Sequence, residues 1–171
     1  EVVHHFSPIE LVPPLTAETY VPRASTPLLD ALGRGINDLA QSIGTLKEAN
    51  RPAKVVLAVV TDGRENASRE FRKAEVERMI REHTDKDGWQ FVYLSADLSA
   101  FDDARELGFA ADSSLAFAKN TQGTHGSWAS LSARTSEYRT GARRNIGFID
   151  ADRLHPADPA KKGNRSTDPA A

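Results

Sequence analysis

At 171 residues the chain is one domain's worth, with the composition of an ordinary globular protein able to bury a core. Its 22 Lys and Arg against 24 Asp and Glu leave a formal net charge of −2, so no global field favours nucleic acid or an anionic membrane as partner. Cysteine is absent, which excludes disulfides, thiolate metal sites and thiol nucleophiles, and no apolar run nears the roughly 20 residues that span a bilayer.

The expected setting is cytoplasmic. The first residue is Glu1 rather than Met, followed at once by the strand-like Val2-Val3-His4-His5-Phe6, and the expectation is that the amino terminus lies upstream. Adjacent strand residues point to opposite faces, so His4 and His5 read as edge-strand residues rather than a metal pair. From Ser7 to Ser25, Pro8, Pro13, Pro14 and Pro22 withhold backbone donors and argue against regular structure.

At Ser25-Thr26-Pro27 a helix is predicted to begin, with Thr26 suited to cap it and Pro27 to its first position. Leu28, Leu32, Ile36, Leu39, Ile43 and Leu46 form one stripe, and Asn50-Arg51-Pro52 stops the helix near Ala49. Val55 to Val60 is nearly all β-branched or apolar, the pattern of a strand buried on both faces. A charged helix is predicted over about Glu70 to Glu82, with Phe71, Val76, Met79 and Ile80 inward and Glu77 and Arg81 an i,i+4 pair. Asp87-Gly88 turns into a buried strand, Trp89 to Leu94. A helix of about Ala100 to Leu107 closes at Gly108, and a short strand covers Ser114 to Ala118. A last helix spans about His125 to Tyr138, with Trp128, Leu131 and Tyr138 on one side; Trp89, Trp128 and Tyr138 are expected in the core or at its margin. The Arg134, Arg139, Arg143 and Arg144 run reads as a solvated face. Asn145 to Ile149 is expected to be extended, and His155 to Ala171 is too rich in Pro, Ala, Lys and Asp to order itself.

This alternation of helix and strand predicts an α/β domain over residues 1–142, doubly wound, its mostly parallel sheet covered by helices on both faces, with a tail from 143 to 171. In such a sheet the carboxyl ends of the strands open a crevice where ligands bind. Asp62, in Thr61-Asp62-Gly63, falls there, and a carboxylate in that place needs a cation, a set of donors or a metal ion. Asn66, Ser68 and Asp97 lie on the neighbouring strand-end loops.

Thr26-Pro27-Leu28-Leu29-Asp30 opening a helix and Val59-Val60-Thr61-Asp62-Gly63 ending a strand together resemble the von Willebrand factor type A domain. The run Trp89 to Asp97, WQFVYLSAD, is similar to bacterial and phage-associated members of that family. The resemblance covers about Val2 to Tyr138. It implies a doubly wound, Rossmann-like fold and a metal-ion-dependent adhesion site in which Thr26 matches the family's threonine and Asp62 its last aspartate. Its implied cofactor is Mg²⁺, its implied partner another protein presenting an acidic side chain, and its implied action coordination without turnover. The family's Asp-x-Ser-x-Ser motif is absent; the strand that carries it would precede Glu1, so the first strands of the fold are expected to be missing and the metal to be held mainly by water. The strand ending at Thr61 would then lack a neighbour on one edge.

Other readings stand beside this one. Thr26 can be a simple helix cap and Asp62 a turn cap over Gly63 and Arg64. A doubly wound Mg²⁺-dependent phosphoryl hydrolase using Asp62 and Asp97 is the enzymatic alternative, although the chain shows no nucleophile with a base partner and no Gly-rich phosphate loop.

Overall fold

A computed structural model describes residues 6–19, 25–97 and 100–153. In chain order the elements are α1 (Leu28–Gly44), β1 (Val56–Thr61), α2 (Lys73–Asp87), β2 (Gln90–Ser95), α3 (Ala100–Glu106), β3 (Ser114–Ala116), α4 (Thr121–Thr140) and the short α5 (Asp150–Arg153). The strands form a parallel sheet in the order β1-β2-β3, with Val56 opposite Gln90 through Thr61 opposite Ser95, and Tyr93 opposite Ser114.

Helices cover both faces of the sheet. On one, Leu28, Leu32 and Ile36 of α1, Val76 and Ile80 of α2, and Ala104 and Leu107 pack with Trp89, Phe91 and Tyr93. On the other, Leu131 and Tyr138 of α4 join Val92, Leu94, Leu115, Ile146 and Phe148. Alternate β2 residues feed the two cores, so this strand carries the apolar run that a central parallel strand requires. The fold is therefore the expected α/β arrangement, a parallel sheet with interleaved helices. Among the described residues no helix is long and apolar enough to cross a membrane.

Several boundaries differ from the sequence expectation, each for a local reason. β1 is not buried on both faces: among the described residues its second edge has no partner, Ala58 is exposed and Val60 is 42% exposed. α1 ends at Gly44 instead of near Ala49, where the Ser42 and Thr45 hydroxyls bond back to the carbonyls of Asp38 and Ser42 and compete with helical pairing. α2 starts three residues late because the amides of Arg69, Glu70 and Phe71 all donate to Asp30, which holds that stretch off the helix. It stops at Gly88, where φ is +67°. α4 begins earlier than expected, at Thr121, because Asn120 caps it by accepting from Gly123 N–H at 2.7 Å.

Trp128 is 50% exposed instead of lying at the core margin. Arg134 is not on a solvated face: its Nη1 donates to Glu137 at 2.7 Å and its Nε stands 3.1 Å from Asp152, off the hydrogen-bond axis. Residues 143–153, assigned above to a tail, place Ile146 and Phe148 in the second core and α5 against β3, so the packed domain reaches Arg153. Phe6 is exposed; Val2 to His5, with the rest of that expected strand, and residues 154–171 lie outside the described residues.

Two side-chain environments generate predictions. A Cβ on Gly33 would stand 2.3 Å from the Phe71 ring, and Phe71 is tied to α1 through its amide. Gly33→Ala should therefore lower unfolding stability by about 1–3 kcal/mol, the cost of overpacking, in urea denaturation. The Tyr93 hydroxyl is buried without a hydrogen-bond partner among the described residues, and burial, reinforced by the negative charges of Asp103 and Asp97, pushes its pKa up to about 12. Tyr93→Phe removes that orphaned group and should leave stability unchanged or raise it by about 1 kcal/mol in the same assay.

Candidate metal centre

The strand-end crevice is built around two carboxylates that the sequence pattern did not single out. Asp30, in the first turn of α1, accepts from the amides of Arg69 at 2.9 Å, Glu70 at 2.9 Å and Phe71 at 3.0 Å. Glu65 accepts from Leu29 N–H at 2.9 Å, Ala67 N–H at 2.9 Å, Ser68 N–H at 2.8 Å and the Ser68 hydroxyl at 2.7 Å. The same Ser68 oxygen accepts from Asp30 N–H at 3.1 Å. These bonds clasp the loop after β1 onto the head of α1 and satisfy amides that a helix start leaves open. For Asp30 the local hint was an acidic residue in a first helical turn, its amide partners lying 39 to 41 positions away; Glu65 bonds Ala67 and Ser68 locally, and its link to α1 spans 36 positions.

Because this clasp caps α1, Thr26 does not. The position before the helix is Pro27, without a side-chain cap bond, while Thr26 is fixed by its backbone: its N–H donates to Asn66 Oδ1 at 2.8 Å and its carbonyl accepts from Asn66 N–H at 3.2 Å. The Thr26 hydroxyl is thereby set beside Gly63, 3.2 Å from where a Cβ on that residue would stand. Asp62 is not the turn cap either. Thr61 does that work, its hydroxyl donating to Gly63 C=O at 2.9 Å and accepting from Gly63 N–H at 3.2 Å. Asp62 is exposed, and its carbonyl accepts from Lys119 Nζ at 2.8 Å, which pins the loop from the other side. Among the described residues neither the Thr26 hydroxyl nor the Asp62 carboxylate makes a hydrogen bond or ion pair.

The remaining candidates are distributed differently. Asn66 and Ser68 border Thr26 and α1, and both side chains are engaged in the clasp. Asp97 follows β2, next to the end of β1, where Ala96 N–H donates to Thr61 C=O at 3.2 Å; its own amide donates to Ser95 Oγ at 3.0 Å. Arg64 binds Asp103 through Nε at 3.1 Å and Nη2 at 3.0 Å, and its pKa is raised by that bonded charge, with Asp97 and Asp102 adding to it. A guanidinium thus already faces the Asp97 side of the crevice.

Thr26 and Asp62 offer one hydroxyl and one carboxylate, the oxygen donors a hard cation prefers, both without an internal partner among the described residues. Among the described residues no three His, Cys, Asp or Glu side chains gather as a metal cage. A Mg²⁺ ion, which takes six oxygens, would draw most of its shell from water. No protein-family model, curated protein or solved structure matches the chain.

The clasp carries a pH signature. The Phe71 amide above all, with those of Arg69 and Glu70, outweighs desolvation and holds Asp30 below its ordinary 3.8. Burial would raise Glu65, but the Ser68 hydroxyl and the amides of Ser68, Leu29 and Ala67 prevail and keep it below its ordinary 4.5. Carboxylates with lowered folded-state values stabilise fully above their unfolded values and lose that contribution as pH falls through the folded ones. The melting temperature should therefore drop as pH is lowered below 4.5. Glu65→Gln and Asp30→Asn should melt lower than the parent at pH 7 and show a shallower acid decline, read by circular dichroism.

Proposed function

We propose that this chain is a non-catalytic protein-interaction module of the von Willebrand factor type A kind, which takes the acidic side chain of a partner protein at a Mg²⁺ site formed by Thr26 and Asp62. A cytoplasmic setting belongs to the same proposal. The observation that supports it is the pair of unengaged oxygens. Asn66, Thr61 and Lys119 hold the loop around Thr26 and Gly63, the Thr26 hydroxyl stands beside Gly63, next in the chain to Asp62, and among the described residues neither this hydroxyl nor the Asp62 carboxylate makes an internal bond.

The chain's own residues would act by positioning. Asn66 fixes the Thr26 backbone from two directions, Thr61 shapes the turn that presents Asp62, and Lys119 anchors the carbonyl of that residue. Such preorganisation lowers the ordering cost of assembling a weak site. Bound there, Mg²⁺ supplies an open coordination position for a carboxylate oxygen. The clasp ties the site to α1 and the start of α2, so that a change in the crevice reaches two helices packed on one core.

Calorimetric titration of the full chain with MgCl₂ tests the reading. Binding is expected with a dissociation constant on the order of 10⁻³ M, as two protein ligands allow; Asp62→Asn should abolish it and Thr26→Val should weaken it. Identical isotherms for the parent and Asp62→Asn would overturn the proposal. Hydrolysis of p-nitrophenyl phosphate in Mg²⁺, lost in Asp62→Asn, would replace it with the phosphoryl-hydrolase reading.

A further inference from the structure

Two cations flank the strand ends, and they are used differently. Arg64, after β1, binds Asp103 through Nε at 3.1 Å and Nη2 at 3.0 Å, a two-bond pair whose charges compensate each other. Lys119, after β3, donates instead to a backbone carbonyl, that of Asp62, at 2.8 Å. Its side chain is exposed, and among the described residues it makes no ion pair and no other hydrogen bond. An ammonium has three N–H groups, so two of them and the whole charge stay open.

That one contact fixes where the charge stands. Carbonyl and carboxylate oxygens of a single aspartate are five bonds apart, so Lys119 Nζ lies within roughly 8 Å of the Asp62 carboxylate, inside a Debye length. Yet no ion pair joins the two among the described residues: Lys119 is held on the carbonyl and leaves the carboxylate open. A positive and a negative group are thus anchored on one residue without meeting. A bare cation gains nothing from Lys119, whose like charge opposes it, whereas an anion that arrives on the cation gains from both. α4 starts two residues on, at Thr121, and the positive end of its dipole acts in the same sense.

We propose that Lys119 is the residue of this chain that receives the partner's acidic side chain, its ammonium donating to the carboxylate taken at Thr26 and Asp62. The inference rests on the Mg²⁺ reading above and adds a selectivity to it. A neutral amide or hydroxyl oxygen can also meet a cation, but neither compensates the Lys119 charge, so a carboxylate is preferred. The bond to the Asp62 carbonyl holds the ammonium in place beforehand, which lowers the ordering cost of the contact.

Nuclear magnetic resonance titration of the full chain at constant ionic strength tests this in two stages. MgCl₂ is added first, then sodium acetate or acetamide at fixed MgCl₂, with the Asp62, Gly63 and Lys119 amides followed throughout. Acetate should move these resonances along a saturable curve, and acetamide should leave them in place. Lys119→Gln should bind acetate about three- to fivefold more weakly, the range of an exposed charge pair. It should bind Mg²⁺ about twofold more tightly, because a like charge some 8 Å away has gone. Lys119→Arg should match the parent in both. These opposite signs separate reception of an anion from mere support of the loop, whose loss would weaken both affinities together. If Lys119→Gln fails to fold, the parent's choice of acetate over acetamide and the acetate-dependent shift of its Lys119 ε-methylene protons decide. A parent that binds no Mg²⁺ in the first stage overturns the metal reading and this inference with it. Mg²⁺ binding followed by equal acetate affinities in the parent and Lys119→Gln, or by equal responses to acetate and acetamide, overturns this inference alone. So does a Lys119→Gln variant that loses Mg²⁺ and acetate together.

Discussion

Two carboxylates accepting backbone amides organise the functional end of this molecule. Asp30 and Glu65 together take six N–H groups and one hydroxyl. In doing so they cap α1, delay α2 and fold the loop after β1 back on the sheet. Charge-assisted bonds of this kind are among the stronger polar interactions in a protein, and here they act together. Because Glu65, Ser68 and Thr61 take the tasks of capping helix and turn, the Thr26 hydroxyl and the Asp62 carboxylate make no bond among the described residues, and the hydroxyl stands beside Gly63.

The sheet places this arrangement where it can act. β2 is buried on both faces and fixes the position of β1 through a full parallel ladder, so the ends of both strands open on one crevice, with Asp62 and Asp97 on adjacent loops. Arg64 bridges across to Asp103 and gives the Asp97 side its own cation. The two halves of the crevice are thus electrostatically unlike: one carries paired charges, the other a carboxylate that is unpaired among the described residues.

The fold was legible in the sequence where periodicity was strong. The stripe from Leu28 to Ile36, the run from Phe91 to Leu94 and the glycine stops at Gly88 and Gly108 all report burial or backbone conformation directly. It was less legible where a helix buries small polar residues. The inner face of α4 includes Gly123, Ser127 and Ser130, and a Cβ on Gly123 would stand 2.4 Å from the Ala118 carbonyl, so close approach, not hydrophobicity, defines that face. β1 misled for the opposite reason: six apolar or β-branched residues read as fully buried, yet a strand's composition does not reveal which of its edges is paired. At the crevice, Thr26 and Asp62 could be picked out by their places in the chain. Asp30 could not, because its amide partners lie 39 to 41 residues away, and neither could the link of Glu65 to α1, because its bonds to Ala67 and Ser68 are local while the one to Leu29 spans 36 positions.

The claim that the clasp leaves a usable pair of oxygens is tested most directly by growing crystals in MnCl₂ and measuring anomalous diffraction at the manganese edge. The account predicts a peak shared by Thr26 Oγ1 and the Asp62 carboxylate, with the Asp30 and Glu65 bonds intact beneath it. A peak confined to Asp97, Asp102 and Asp103, or crystals in which Thr26 and Asp62 turn to partners within the chain and bind no ion, would contradict it.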